Sequence, residues 1–204
     1  MVVQRRSSGV HDVQPRAFVG RHHELDELAA ALAAAERHHG TLWVVTGEAG
    51  VGKSSLVAEF AATAGSAGAR VLWGRCREFQ GAPPYWPWAQ VLRPLLPEHV
   101  PPGSDQAAFA DLLRPQGRAT TPAVGQQPEP DRFQFFDFVS RLVGAAAEEQ
   151  PLVLIFEDMH AADAASVLLL HFVAAEVAVS PVLLVATTCP YSRALTAEGG
   201  GDTD

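Results

Sequence analysis

Gly47-Glu48-Ala49-Gly50-Val51-Gly52-Lys53-Ser54 fits the pattern G-x-x-x-x-G-K-[ST], with Gly47, Gly52, Lys53 and Ser54 in the fixed positions. Lys53 is the only lysine in 204 residues; every other basic side chain except histidine is arginine. An ammonium is a compact point charge, suited to the tip of a loop that wraps phosphates, where a planar guanidinium would need more room. The flanks agree. Thr41-Leu42-Trp43-Val44-Val45 is a short apolar run of strand formers. Leu56, Val57, Phe60, Ala61 and Ala64 then recur at the spacing of one helix face. Strand, glycine loop and helix is the order a phosphate cradle requires.

A nucleoside triphosphate carries about four negative charges, which a chain of formal net charge −8 repels at long range. The loop must supply local positive potential. Backbone N–H groups from Glu48 through Ala49, Gly50, Val51, Gly52 and Lys53 to Ser54 form an anion-binding nest. A helix beginning near Lys53 adds about half a charge at its N-terminus. With the Lys53 ammonium and a Mg²⁺ on the Ser54 hydroxyl, the total comes to about +3.5. Close approach of backbone to phosphate, and positions needing φ > 0, explain the glycines.

A second element points to the same chemistry. Leu152-Val153-Leu154-Ile155-Phe156 is a continuous apolar run, as expected of a strand buried on both faces, and it ends in Glu157-Asp158. Two adjacent carboxylates at the end of a buried strand are costly unless a cation or donors serve them. In nucleotide-hydrolysing phosphate-loop proteins, such a strand end helps hold Mg²⁺ and orient the attacking water.

The bulk composition sets bounds. At 204 residues the chain can bury one sizeable core. No stretch approaches the roughly 18 apolar residues of a membrane span. Arg5 and Arg6 are followed by no apolar segment, so residues 1–16 are not read as a secretory signal. Cys76 and Cys189 lie far apart with no metal spacing, which fits a reducing cytoplasm. The acidic balance argues against direct nucleic-acid binding by this segment.

Along the chain, residues 1–16 read as a flexible tail. A helix with Leu25, Leu28, Ala29 and Leu32 on one face follows, stopped by Gly40. A second strand is expected at Arg70-Val71-Leu72-Trp73-Gly74. Pro83 to Trp88 turn into a short helix through Val91 and Leu92. Residues 97–130, rich in Pro, Gly and Gln, read as a long insertion with one short helix around Phe109, Leu112 and Leu113. Asp131 is placed as the N-cap of a helix carrying Phe135, Phe138, Val139, Leu142 and Val143, a stripe read as core. A helix from about Asp163 to Val177 leads to a buried strand, Val182-Leu183-Leu184-Val185-Ala186. Residues 191–204 read as a flexible tail. The domain is thus expected at 17–190, as an α/β fold with a parallel sheet.

On these residues the chain resembles the N-terminal ATPase module of large ATP-binding regulators of the LuxR type. These are signal-transduction ATPases with numerous domains (STAND), related to AAA+ proteins. The resemblance rests on Phe18-Val19-Gly20-Arg21 with Glu24 and Leu25, on the loop from Gly47 to Ser54, and on Gly74-Arg75-Cys76. It rests further on Pro84-Tyr85 with Pro87-Trp88, and on Phe156-Glu157-Asp158-Met159-His160 with Asp163. It implies a P-loop NTPase three-layer sandwich, ATP or ADP as nucleotide, Mg²⁺ as cofactor and a switch role in transcriptional signalling. Two departures stand out. Ala161 replaces a Trp after the motif's His, and Thr188-Cys189-Pro190-Tyr191 replaces a Tyr-Arg-Asp-like stretch, removing the usual polar sensor. Thr187, Thr188 and Arg193 are its candidate substitutes. Against that family the chain stops after the fourth core strand, so a fifth strand and the helical lid are expected to be lacking. The strand at 41–45 would then be an open edge, prone to self-association or to recruiting a partner chain.

The leading functional expectation is an ATP-binding module with weak or lost Mg²⁺-dependent hydrolysis. Lys53 would neutralise β/γ-phosphate charge, Ser54 would ligate Mg²⁺ and Ser55 would reach the α-phosphate. Glu157 or Asp158 would hold Mg²⁺ through water and orient the nucleophile, with the two roles not separable from sequence. The alternatives are a non-catalytic, nucleotide-dependent protein-interaction module and, ranked lower, a small-molecule P-loop kinase, whose only lid arginines would be Arg114 and Arg118.

Overall fold

The computed structural model describes residues 2–6, 21–76, 83–99 and 129–190. Its sheet has five strands: β1 (Val2–Arg6), β2 (Thr41–Thr46), β3 (Arg70–Arg75), β4 (Leu152–Glu157) and β5 (Val182–Thr188). They lie in the order β1-β2-β5-β4-β3. β2, β5, β4 and β3 run parallel, and β1 joins β2 antiparallel. The helices are α1 (Arg21–Ala35), α2 (Lys53–Ser66), α3 (Trp86–Leu92), α4 (Leu96–His99), α5 (Glu129–Glu149) and α6 (Ala164–Glu176). No helix among the described residues is long and apolar enough to cross a membrane.

The expected α/β architecture is present, with helices on both faces of the sheet. Side chains alternate along each strand and so feed two cores. Leu42, Val44, Leu152, Leu154, Phe156, Leu184 and Ala186 pack with α3, α5 and α6. Val45, Val153, Ile155, Leu183 and Val185 pack with Leu28 and Leu32 of α1 and with Leu56, Val57 and Phe60 of α2. β4 and β5 are buried along their whole length, which is why they read as unbroken apolar runs.

Three expectations change. The helix carrying Phe135 and Phe138 begins at Glu129, so Asp131 lies inside its first turn and is not the cap. Pro130 does not oppose this, because first-turn N–H groups have no intrahelical partner. The insertion expected at 97–130 is cut at both ends, by α4 and by the start of α5. Its helix around Phe109 lies outside the described residues, as do residues 7–16 and 191–204 of the expected tails.

The third change concerns the sheet edge. Val2–Arg6 is a strand, not part of a loose tail, and it pairs with β2 from Val2↔Thr46 to Arg6↔Leu42. The side of β2 expected to be open is therefore covered. The other outer strand, β3, is blunted by a side chain. The Gln90 amide accepts from the Arg75 N–H (3.3 Å) and donates to the Arg75 carbonyl (3.0 Å), taking the place of a neighbouring strand. Deleting residues 1–6 should bare the donors and acceptors of β2 and produce concentration-dependent association. Light scattering across a dilution series checks this; a deletion variant that stays monomeric would show that β1 does not guard the edge.

α3 sits close against β3. A Cβ on Gly74 would stand 2.4 Å from the Pro87 carbonyl oxygen, so only glycine allows this approach. Asp163 caps α6 by accepting from the Ser166 N–H (2.9 Å), and it also accepts from the Tyr85 N–H (3.3 Å). Trp88 donates its indole N–H to the Ser166 carbonyl (3.0 Å). The Pro84-Tyr85 and Pro87-Trp88 pairs therefore lock α3 to the start of α6.

Candidate nucleotide site

The parallel strands all end at the same side of the sheet, and the segments that follow them meet there. β2 runs into the loop 47–52, whose glycines supply the conformations other residues resist. Gly50 has φ 78° and Gly52 has φ 96°, and Gly52 is the N-cap of α2. Lys53 opens the helix and is buried, 7% exposed. Its ammonium curls back onto the loop, donating to the carbonyls of Gly47 (2.8 Å) and Glu48 (3.0 Å), and lies 3.5 Å from the Cys189 Sγ. Ser54 and Ser55 are exposed on the first turn.

A cavity of about 630 Å³ opens over this loop. Ala49, Gly50, Gly52, Lys53, Ser54 and Ser55 form one side; Cys76, Asp158, His160, Ala161 and Cys189 form the other. Gly47, Glu48, Val51 and Glu157 are not among its described lining residues. The carbonyls of Gly47 and Glu48 instead hold the Lys53 ammonium. Val51 is 40% exposed at the loop tip.

The two adjacent carboxylates part company. Glu157 is the last residue of β4 and only 4% exposed. Its Oε2 lies 2.6 Å from the Arg75 Nε. Asp158 follows in the left-handed conformation, φ 58° and ψ 44°. Its N–H donates to the Thr187 hydroxyl (3.0 Å), which fixes the turn. A left-handed aspartate costs of order 1–2 kcal/mol and is tolerated where the surroundings impose it. Here the turn sets Asp158 against the cavity, opposite Lys53. Thr187, one of the candidate sensor substitutes, thus supports Asp158, while Arg193 lies outside the described residues.

Four lining residues were not among the site residues expected from sequence: Cys76, His160, Ala161 and Cys189. Each follows directly, or within four residues, the end of a parallel strand. That position was the available signal, since ligands of open α/β sheets gather beyond the strand ends. Cys76 is buried, and its thiol proton is directed at the Met159 Sδ, 3.6 Å away. Burial, helped by the negative charges of Asp163 and Asp158, pushes its pKa up to about 12, so it stays a neutral thiol at ordinary pH. His160 contributes an Nδ1 that is buried and without a partner.

Comparison with known proteins agrees with this geometry. No curated protein matches the chain. A family model described as the AAA ATPase domain matches residues 17–185, from just before α1 into β5 and therefore across the loop, the acidic strand end and the cavity between them. That match covers most of the sequence, and the chain belongs to the AAA ATPase domain family.

Proposed function

We propose that this chain binds ATP or ADP with Mg²⁺ in the cavity over Gly47–Ser55, as the nucleotide module of a signalling or transcriptional-regulator ATPase, and that it hydrolyses ATP slowly. The observation that carries this reading is the meeting of Lys53 and Asp158 across one cavity of about 630 Å³, at the head of a helix whose N-cap is a left-handed glycine. That volume is in the range of small-molecule sites. The loop N–H groups and the start of α2 would bind the phosphates, and Lys53 would exchange its two carbonyl contacts for phosphate oxygens.

The donor set fits Mg²⁺. Ser54 offers a hydroxyl and Asp158 a carboxylate, both hard oxygen ligands. Among the described residues no group of three His, Cys, Asp or Glu could hold a metal by itself, in keeping with an ion held mostly by phosphates. When bound, Mg²⁺ would neutralise phosphate charge. Asp158 would orient water toward the terminal phosphate, its position fixed by Thr187.

Slow turnover is favoured by what lines the cavity. Among the described residues no arginine does, and Cys189 stands where a polar sensor is usual. An arginine supplied to the γ-phosphate is worth roughly 10³ to 10⁵ in rate, so turnover is expected below about 0.01 per second. The same observation supports a second reading, in which nucleotide sets a conformation for a partner protein without being consumed. Binding of a fluorescent ATP analogue together with a phosphate-release assay tests both. Saturable binding with slow release supports the first, and binding without release the second. No binding refutes both, and a phosphorylated acceptor would reveal a kinase. Within the first reading, Asp158→Asn should lower phosphate release about 100-fold while changing nucleotide affinity at saturating Mg²⁺ by less than about threefold. Unchanged release would remove Asp158 from the mechanism.

A further inference from the structure

Strand parity places Glu157 on the same side of β4 as Val153 and Ile155, the side on which α2 and the phosphate loop lie. The first turn of α2 on that side bears Ser54. The Glu157 Oε2 is taken by Arg75, which stands directly opposite in the parallel register of β3 and β4. Arg75 is held from three directions. Gln90 bonds both of its backbone groups, its guanidinium lies 5.8 Å from the centre of the Trp73 ring, and Glu157 closes the ion pair. A guanidinium and a divalent cation on one carboxylate repel each other, so occupation by one opposes the other.

We propose that Arg75 holds Glu157 out of the cation site, so that Asp158 is the one carboxylate of the pair that serves the Mg-nucleotide. This rests on the nucleotide-binding reading above. It makes Glu157 a structural ion-pair partner and Arg75 the positioning residue that determines which acid faces the cavity. The two acidic positions then differ sharply in what their substitution does.

The test is Mg²⁺ dependence of nucleotide binding, followed by the anisotropy of a fluorescent ATP analogue as Mg²⁺ is raised from an EDTA-treated sample. Glu157→Gln is expected to reach half-saturation within about twofold of the wild-type Mg²⁺ concentration, while Asp158→Asn needs at least about fivefold more. Arg75→Gln, which releases Glu157, is expected to need about threefold less Mg²⁺. A Glu157→Gln shift as large as that of Asp158→Asn would overturn the proposal, and so would an unchanged Mg²⁺ requirement in Arg75→Gln. If circular dichroism shows that Glu157→Gln does not fold, Arg75→Gln decides alone, since its side chain is 63% exposed and removable without opening the core. Wild type that binds no nucleotide at any Mg²⁺ concentration fells the nucleotide reading and this proposal together. Wild type that binds, with the variants behaving otherwise than stated, fells this proposal only.

Discussion

Lys53→Ala should weaken ATP binding by at least about 100-fold, close to 2.7 kcal/mol. The size follows from what the ammonium would contribute. A charge-assisted bond to phosphate in a partly desolvated site is worth roughly 1.5–3 kcal/mol, and Lys53 is the only full positive charge among the described lining residues. The loss should fall on binding and not on folding. In the free protein the ammonium is spent on the carbonyls of Gly47 and Glu48, on a loop exposed enough for water to replace it. Calorimetry in Mg²⁺ gives the affinity, and a thermal melt of the same sample verifies the fold. Equal ATP affinity in the two proteins would refute the role given to Lys53.

Trp88→Ala should destabilise the fold by about 3–5 kcal/mol, the usual cost of removing a large buried aromatic. Trp88 has no exposed surface, its ring centre is 4.6 Å from that of Phe156, and its indole N–H is bound to the Ser166 carbonyl. The substitution removes packing on β4, leaves a cavity and deletes the indole's bond to the Ser166 carbonyl at the head of α6. For a chain of this size each kcal/mol shifts the melting temperature by roughly 2–4 °C, so a fall of about 10 °C is expected. Urea unfolding with an unchanged m-value and a lowered midpoint is the confirming pattern. A loss below about 1 kcal/mol would show that α3 is not part of the cooperative core.

What could be read from sequence was what depends on near neighbours. The apolar runs at Leu152–Phe156 and Val182–Ala186 identify buried parallel strands because strands covered on both faces are built mostly of apolar residues. The loop 47–54 is legible because phosphate binding constrains residue types at fixed spacing. β1 was not legible. Val2-Val3-Gln4-Arg5-Arg6 has little apolar content, and its pairing comes from the backbone edge of β2, some forty residues away. The different surroundings of Glu157 and Asp158 were hidden for a related reason. They depend on strand parity at Glu157, on the partner that β3 brings to it, and on a left-handed turn held by Thr187. Cys189 could be placed after a strand by sequence, but its contact with Lys53 joins residues 136 positions apart.

The left-handed turn at Asp158 also gives the cavity two walls of unlike stiffness. One wall hangs from β4 and β5, whose residues are buried throughout, and its acid is tied to Thr187, which has no exposed surface. Opening that wall means opening the centre of the sheet, so its fluctuations are those of global unfolding. The other wall is the loop. Its backbone bonds are long, Gly47 N–H to the Thr188 carbonyl at 3.4 Å and Val51 N–H to the Glu48 carbonyl at 3.4 Å, and residues 48–51 face solvent. Such a segment rearranges at little free-energy cost. An arriving ligand would thus meet a fixed anvil and a compliant strap. The strap can adapt its amides and its lysine to the phosphates while the carboxylate opposite stays in register with the sheet.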